Sequence, residues 1–166
     1  MKFTLFAAIG LAVTATAAPL DRRAVFSAKT YNQLSISGGR AGNAKAEALA
    51  KLAGLPADLK AVERADLTFL DSVNKIANQA ETGAFNPAIA AASGAAKDAL
   101  DNGKTKNKVL KLTATILKLQ AQQAKGENVA AKLAEEQKKL DNNIAKDVAA
   151  AGKASTALQF TASTSK

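Results

Sequence analysis

Apolar side chains in the middle of the chain recur at spacings of three and four residues, which is the period of an amphipathic helix. The pattern is clearest over residues 65–81, where one face carries Phe69, Leu70, Val73, Ile76, Ala77 and Ala80. Comparable patterns predict further helices at about residues 43–53, 87–101, 104–125 and 128–151. Because the connections are short, neighbouring helices are expected to be antiparallel. We predict an all-α fold, an antiparallel bundle of about five helices with an extended N-terminal strap.

The first and last predicted helices both carry aliphatic side chains. The first carries Leu49 and Leu52. The last carries a stripe that is expected to be buried, made of Val129, Leu133, Leu140, Ile144 and Val148. Side chains repeated on one face of a helix are those that pack against a core.

Glycine and proline mark the predicted helix ends, because glycine accepts the left-handed conformation that often follows a last turn. On this basis helices end at Gly54-Leu-Pro56, Thr82-Gly83, Asn102-Gly103 and Gly126. Asn86-Pro87 is predicted to begin the third helix, with Asn86 as its cap and Pro87 in the first turn.

The strap is predicted from a different pattern at residues 31–37, where Leu34 and Ile36 alternate with polar residues. Such alternation favours an extended segment laid on the helices. The following glycines, Gly38 and Gly39, are expected to bend the chain.

The bundle domain is predicted to span residues 31–152. Residues 153–166 are small and polar, and we predict a mobile C-terminal tail there. Its apolar side chains, Leu158 and Phe160, would fit a groove on the bundle.

The first 17 residues have the features of a secretory signal peptide. Lys2 precedes an apolar run from Phe3 to Val13, which leads to Ala15 and Ala17. The run is too short for a permanent membrane span, and small residues at these positions suit cleavage after Ala17. We therefore expect an extracellular, secreted protein without a transmembrane anchor.

Residues 18–30 are predicted to be a pro-segment or a flexible linker. The pair Arg22-Arg23 would suit a protease of the secretory route that cuts after dibasic sites. The alternative is an ordinary charged linker, since short motifs often match by chance.

The composition limits the chemistry. The chain has no histidine and no cysteine, so the commonest metal ligands and the cysteine nucleophile are absent. Two carboxylate pairs are conceivable for sugar hydrolysis, Asp66 with Asp71 and Glu135 with Glu136, but aromatic residues form only 4% of the chain. The glycine-rich residues 38–42 lack the ending of a phosphate-binding loop. We predict a protein that is not an enzyme and has no cofactor and no metal site.

One face of the predicted fourth helix is basic. Within an arc of about 100° lie Lys104, Lys108, Lys111, Lys118 and Lys125, which we call the lysine stripe. A net charge of +9 makes an anionic surface or a host protein conceivable partners. Nucleic acid is not expected, because few aromatic side chains are available for base stacking. The simpler interpretation is a solvated face that keeps the protein soluble and monomeric.

Four stretches resemble a known group of proteins: YNQLSISGG at 31–39, AFNPAI at 84–89, KNKVLKL at 106–112 and AEEQKKLDNNI at 134–144. They are similar to the cysteine-free small secreted proteins of filamentous ascomycete fungi, over about residues 31–160. The resemblance implies release by a fungus and supplies no catalytic residues. A looser similarity in size and helicity connects the chain to fungal hydrophobic-surface-binding proteins.

These observations lead to two functional hypotheses. The first is a secreted non-enzymatic helical protein that acts, as an effector does, by binding at the fungal surface or on a host component. The alternative is an amphipathic protein that binds hydrophobic surfaces or lipids by exposing its aliphatic faces.

Overall fold

The chain is largely α-helical over residues 23–164, which are the residues that this computed structural model describes. Its helices are α1 Tyr31–Leu34, α2 Ala44–Lys51, α3 Arg64–Ala80, α4 Asn86–Ala91, α5 Gly94–Ala124 and α6 Ala130–Ala149. The other elements are a 3₁₀ turn at Leu59–Ala61, a π-helical segment at Glu81–Phe85, and the short strands β1 Gly39–Arg40 and β2 Ala154–Ser155. The predicted all-α class is confirmed. The predicted signal peptide, its cleavage point at Ala17 and the basic Arg22 lie outside the described residues.

The long helix α5 is the centre of the bundle and packs against α2, α3 and α6. It runs antiparallel to α3, because the earlier Lys111 pairs with Glu81 and the later Lys118 pairs with Asp71. The core that these helices enclose includes Phe69, Leu70, Val73, Val109, Leu110 and Ile116.

The predicted break between the second and third helices is wrong. After α3 the chain stays helical through the π-helical segment Glu81–Phe85 and on into α4. Asn86 has φ −59° and ψ −49°, which is a helical conformation rather than that of a cap. The π-helical segment turns Phe85 fully into the core, and this burial favours a continuous path. The break comes later, where Ala92 and Ser93 are extended.

The predicted end at Asn102-Gly103 is also wrong, because α5 continues through it. Gly103 is buried in the helix interior, where the backbone carbonyl of Thr156 crosses it. A side chain at this position would clash with that carbonyl. Glycine is therefore required here for close approach of another segment, not for a turn. The predicted separation at Gly126 is confirmed, since α5 ends at Ala124 and Gly126 has φ +91°.

The predicted strap is only partly extended. Thr30 caps a single helical turn, α1, whose backbone then straightens at Ser35. Leu34 and Ile36 are both buried, as their pattern suggested. The capping box between Thr30 and Gln33 explains why a helical turn wins over the extended form here.

The chain termini of the described region pair with each other. β1 and β2 are antiparallel, and Thr30 forms an isolated antiparallel bridge with Ser163. In the segment predicted to be a mobile tail, Leu158 and Phe160 pack against the core, and the Phe160 ring meets Tyr31 edge-on. Residues 153–164 thus have defined partners on the bundle.

The segment before the bundle also has defined contacts. Phe26 stacks on Phe69 with 4.5 Å between ring centroids. The backbone N–H groups of Val25 and Phe26 donate to the buried Asp66 carboxylate at 2.9 and 3.0 Å. The exposed Arg23 lies just before these contacts. No helix within residues 23–164 has the length and apolar character needed to cross a membrane.

Candidate functional site

Most of the lysine stripe faces α3 and Glu81, the residue that follows it. Lys111 Nζ lies 2.8 Å from Glu81 Oε2, and Lys108 Nζ lies 3.2 Å from the other oxygen of the same carboxylate. Lys118 Nζ lies 2.6 Å from Asp71 Oδ1. These three lysines are partly buried between α3 and α5, whereas a solvated face was expected.

The ion pairs perturb both carboxylates. Burial acts to raise the pKa of Glu81, but the hydrogen bonds and charges of Lys111 and Lys108 hold it below its ordinary value. Hydrogen bonds from Lys118 and Lys75 hold the pKa of Asp71 below its ordinary value. Both acids are thus more stable in their charged form in the folded protein than in water.

Only the ends of the stripe stay clear of ion pairs. Lys125 is exposed, and its Nζ donates to the carbonyl of Lys60 at 3.0 Å. Lys104 is half-buried. Within residues 23–164, neither lysine forms an ion pair. The cationic surface that the stripe presents is therefore small.

Lys106 lies outside the lysine stripe and is a buried lysine of α5. Its side chain is 1% exposed, and Nζ donates to the carbonyls of Gly38 and Arg40 at 2.8 and 3.0 Å. It also lies 2.9 Å from Glu47 Oε2. A signal existed, because Lys106 falls about 200° from Lys104 on the helix, among the aliphatic positions. This lysine joins α5 to the strap and to α2.

A groove between α2 and α6 carries the exposed apolar side chains of the bundle. Leu49 of α2 is 45% exposed and Val148 of α6 is 56% exposed. Val148 was predicted to be buried, and this prediction is wrong. They line one cavity of about 350 Å³ together with Ile144 and Asp147. The short α2 contacts α6 only lightly, so these side chains flank a gap instead of filling it.

Asp147 connects the two walls of this groove. It is 2% exposed, and its Oδ2 accepts a hydrogen bond of 2.9 Å from the backbone N–H of Ala44. Asn43 precedes α2 without making a side-chain cap, so Asp147 of α6 caps α2 in its place. The second oxygen, Oδ1, is buried and has no hydrogen-bond partner among the described residues.

The carboxylates considered for catalysis are each engaged in the structure. Asp66 accepts the backbone N–H groups of Val25 and Phe26, and Asp71 pairs with Lys75 and Lys118. The exposed Glu135 and its neighbour Glu136 both pair with Lys139, at 2.7 and 2.9 Å. Within residues 23–164, no cluster of three or more acidic residues could hold a metal ion.

Comparison with known proteins places the chain in a family. The profile of a domain of unknown function, DUF8454, matches residues 26–159. The chain belongs to this family. The matched DUF8454 region includes α1 to α6 and ends beside the packed Phe160. No curated protein matches the chain significantly. No solved structure does so either.

Proposed function

We propose that this DUF8454 protein is a secreted, monomeric and non-enzymatic binding protein that acts at a fungal surface or on a host component. Its contact surface is the groove between α2 and α6. The observation that supports this proposal most strongly is that Leu49 and Val148, both exposed, line the same cavity. Exposed apolar side chains that occur together, instead of singly, are typical of surfaces that bind other molecules.

The charges support the groove over the lysine stripe. Lys108, Lys111 and Lys118 already have carboxylate partners within the bundle. An external anion would have to displace Glu81 or Asp71 from these lysines. Binding in the groove requires no such exchange, because a ligand there displaces only the water that covers the exposed apolar side chains.

The first experiment is capture of the purified protein on fungal wall, host wall, lipid and nucleic-acid fractions at low and high salt. Apolar contact through the groove predicts capture that survives high salt, since screening weakens only the charged contacts. Capture on one fraction that persists at high salt is the expected result. Capture that disappears at high salt would contradict binding through the groove and would favour the lysine stripe as the binding surface.

A second candidate, the binding of hydrophobic surfaces or lipids by an opened bundle, has one specific observation in its favour. Helix α6 follows the glycine turn at Gly126, and of its aliphatic side chains only Leu140 is fully buried, whereas Leu133 and Ile144 are partly so. Opening at this turn would expose the aliphatic face of α5. Adsorption to an apolar surface together with faster amide exchange in α5 would support it. Adsorption with unchanged exchange would exclude opening.

A further inference from the structure

The α2/α6 groove contains a carboxylate oxygen without a hydrogen-bond partner among the described residues. Asp147 Oδ2 is satisfied by the N–H of Ala44, but Oδ1 has no hydrogen-bond donor among the described residues. A buried acceptor that lacks a donor costs free energy, and a charged one costs more. A ligand that brings a donor to Oδ1 would recover that loss.

The charge of Asp147 is also uncompensated. Within residues 23–164 it forms no ion pair, although Lys45 lines the same groove. A carboxylate in apolar surroundings favours a cationic partner, because the attraction is weakly screened there. Lys45 is exposed and would favour an anionic head group instead. Asp147 and Lys45 therefore favour ligand head groups of opposite charge.

The rest of the groove suits an aliphatic chain. Leu49, Ile144 and Val148 line it together with the small residues Gly42 and Ala46. A cavity of about 350 Å³ is within the range of small-molecule sites. Oδ1 is buried in this structure, so side chains of the groove must move before a ligand can reach it. Leu49 and Val148, which are exposed and line the same groove, are the side chains with room to move.

We propose that this groove binds an amphipathic amine, with its primary ammonium on Asp147 Oδ1 and its aliphatic chain against Leu49, Ile144 and Val148. The inference rests on the proposed function, since it uses the same groove, and it adds the class of ligand. The head group is selected by charge, because Asp147 is buried and its attraction for a cation is weakly screened, whereas Lys45 is exposed to water. The ammonium donates to an oxygen that no protein group serves.

The test is isothermal titration of the full mature chain with dodecylamine, dodecanol and dodecanoic acid at pH 7, each below its micelle concentration or its solubility limit. The expected order of affinity is amine, then alcohol, then acid. Binding of the acid as tightly as the amine would overturn the proposal, because the charge of Asp147 would then not select the head group. Absence of binding for all three probes would overturn it as well.

Variants locate the site. Asp147→Asn keeps an oxygen for the N–H of Ala44, and it is expected to weaken amine binding by roughly tenfold or more. Leu49→Ser with Val148→Ser changes exposed positions, so folding is retained, and all the chain-bearing probes should bind more weakly. Val25→Ser is the matched control, since Val25 is 48% exposed and does not line this groove. Unchanged amine affinity in Asp147→Asn overturns the proposal.

The failure of this inference is distinguishable from failure of the proposed function. If a wall or host fraction captures the protein in a way that depends on Leu49 and Val148, but the protein does not prefer the amine, only the amine proposal is overturned. If capture does not depend on either side chain, the groove is not the binding surface.

Discussion

The hydroxyl of Tyr31 donates a hydrogen bond of 3.0 Å to Asn107 Oδ1 in the interior of the bundle. Asn107 in turn donates from Nδ2 to the carbonyl of Ala77 at 2.8 Å. These bonds join α1, α5 and α3 through groups that water does not reach. Burial raises the pKa of the Tyr31 hydroxyl, so it stays a neutral donor at ordinary pH.

Replacing Tyr31 by Phe should lower the free energy of unfolding by about 1–3 kcal/mol, because Asn107 Oδ1 is then buried without a donor. The ring contact with Phe160 is retained in this variant, which isolates the hydrogen bond. Urea denaturation of the wild-type and variant proteins measures the difference. An unchanged midpoint would mean that the bond contributes nothing to stability.

Replacing Lys106 by Met should be more costly, at about 2–4 kcal/mol, since it leaves the carbonyls of Gly38 and Arg40 without their donor. Glu47→Gln is the matched control. Its side chain is partly exposed and glutamine keeps an oxygen for Lys106 Nζ, so this change should cost less than Lys106→Met. If the two variants lose the same free energy of unfolding, the ion pair with Glu47 stabilises the protein more than the hydrogen bonds to the two carbonyls do.

The sequence predicted the helical class, and it placed α3 correctly because eight buried residues of that helix follow one period. It failed where a distant segment decides the local structure. Gly103 has the residue type of a helix end, but its role depends on Thr156, more than fifty positions away. The stripe lysines have the spacing of a solvated face, but three of them pair with Asp71 of α3 or with Glu81, which directly follows α3. No local pattern contains that information.

The α2/α6 groove was missed for a related reason. Leu49 and Val148 have core-like spacing within their own helices, yet they are exposed because α2 is too short to cover α6. Asp147 lay in a helical pattern with nothing to mark it as a cap for α2. Only the placement of α2 beside α6 brings these residues together.

Gly103→Ala should destabilise the protein, although alanine is the better helix former by about 1 kcal/mol. The added methyl group meets the Thr156 carbonyl and lies 3.1 Å from Cε1 of Phe85. We expect a net loss of about 1–3 kcal/mol and faster tryptic cleavage after Lys153, because the C-terminal segment is pushed away. A variant more stable than the wild type would contradict the described contact.

Acid should destabilise the bundle through Glu81 and Asp71. Both pKa values are lowered in the folded protein, so their stabilising effect is complete above the unfolded-state values near 4 and is lost as the pH falls through the folded values. Thermal unfolding followed from about pH 6 to pH 2 should show a falling Tm. Glu81→Gln should make that fall shallower, and an equally steep fall would assign the effect to other acids.

We propose that the groove, and not the lysine stripe, is the binding surface of this protein. The deciding measurement is the amount of each variant that is captured, at physiological salt, by the fraction that captures the wild-type protein. We would compare the Leu49→Ser, Val148→Ser double variant with a Lys108→Gln, Lys111→Gln, Lys118→Gln triple variant, with Val25→Ser as control and folding checked by circular dichroism. We expect the groove variant to lose capture, and the lysine variant and the control to retain it. Loss in the lysine variant with retention in the groove variant would contradict it.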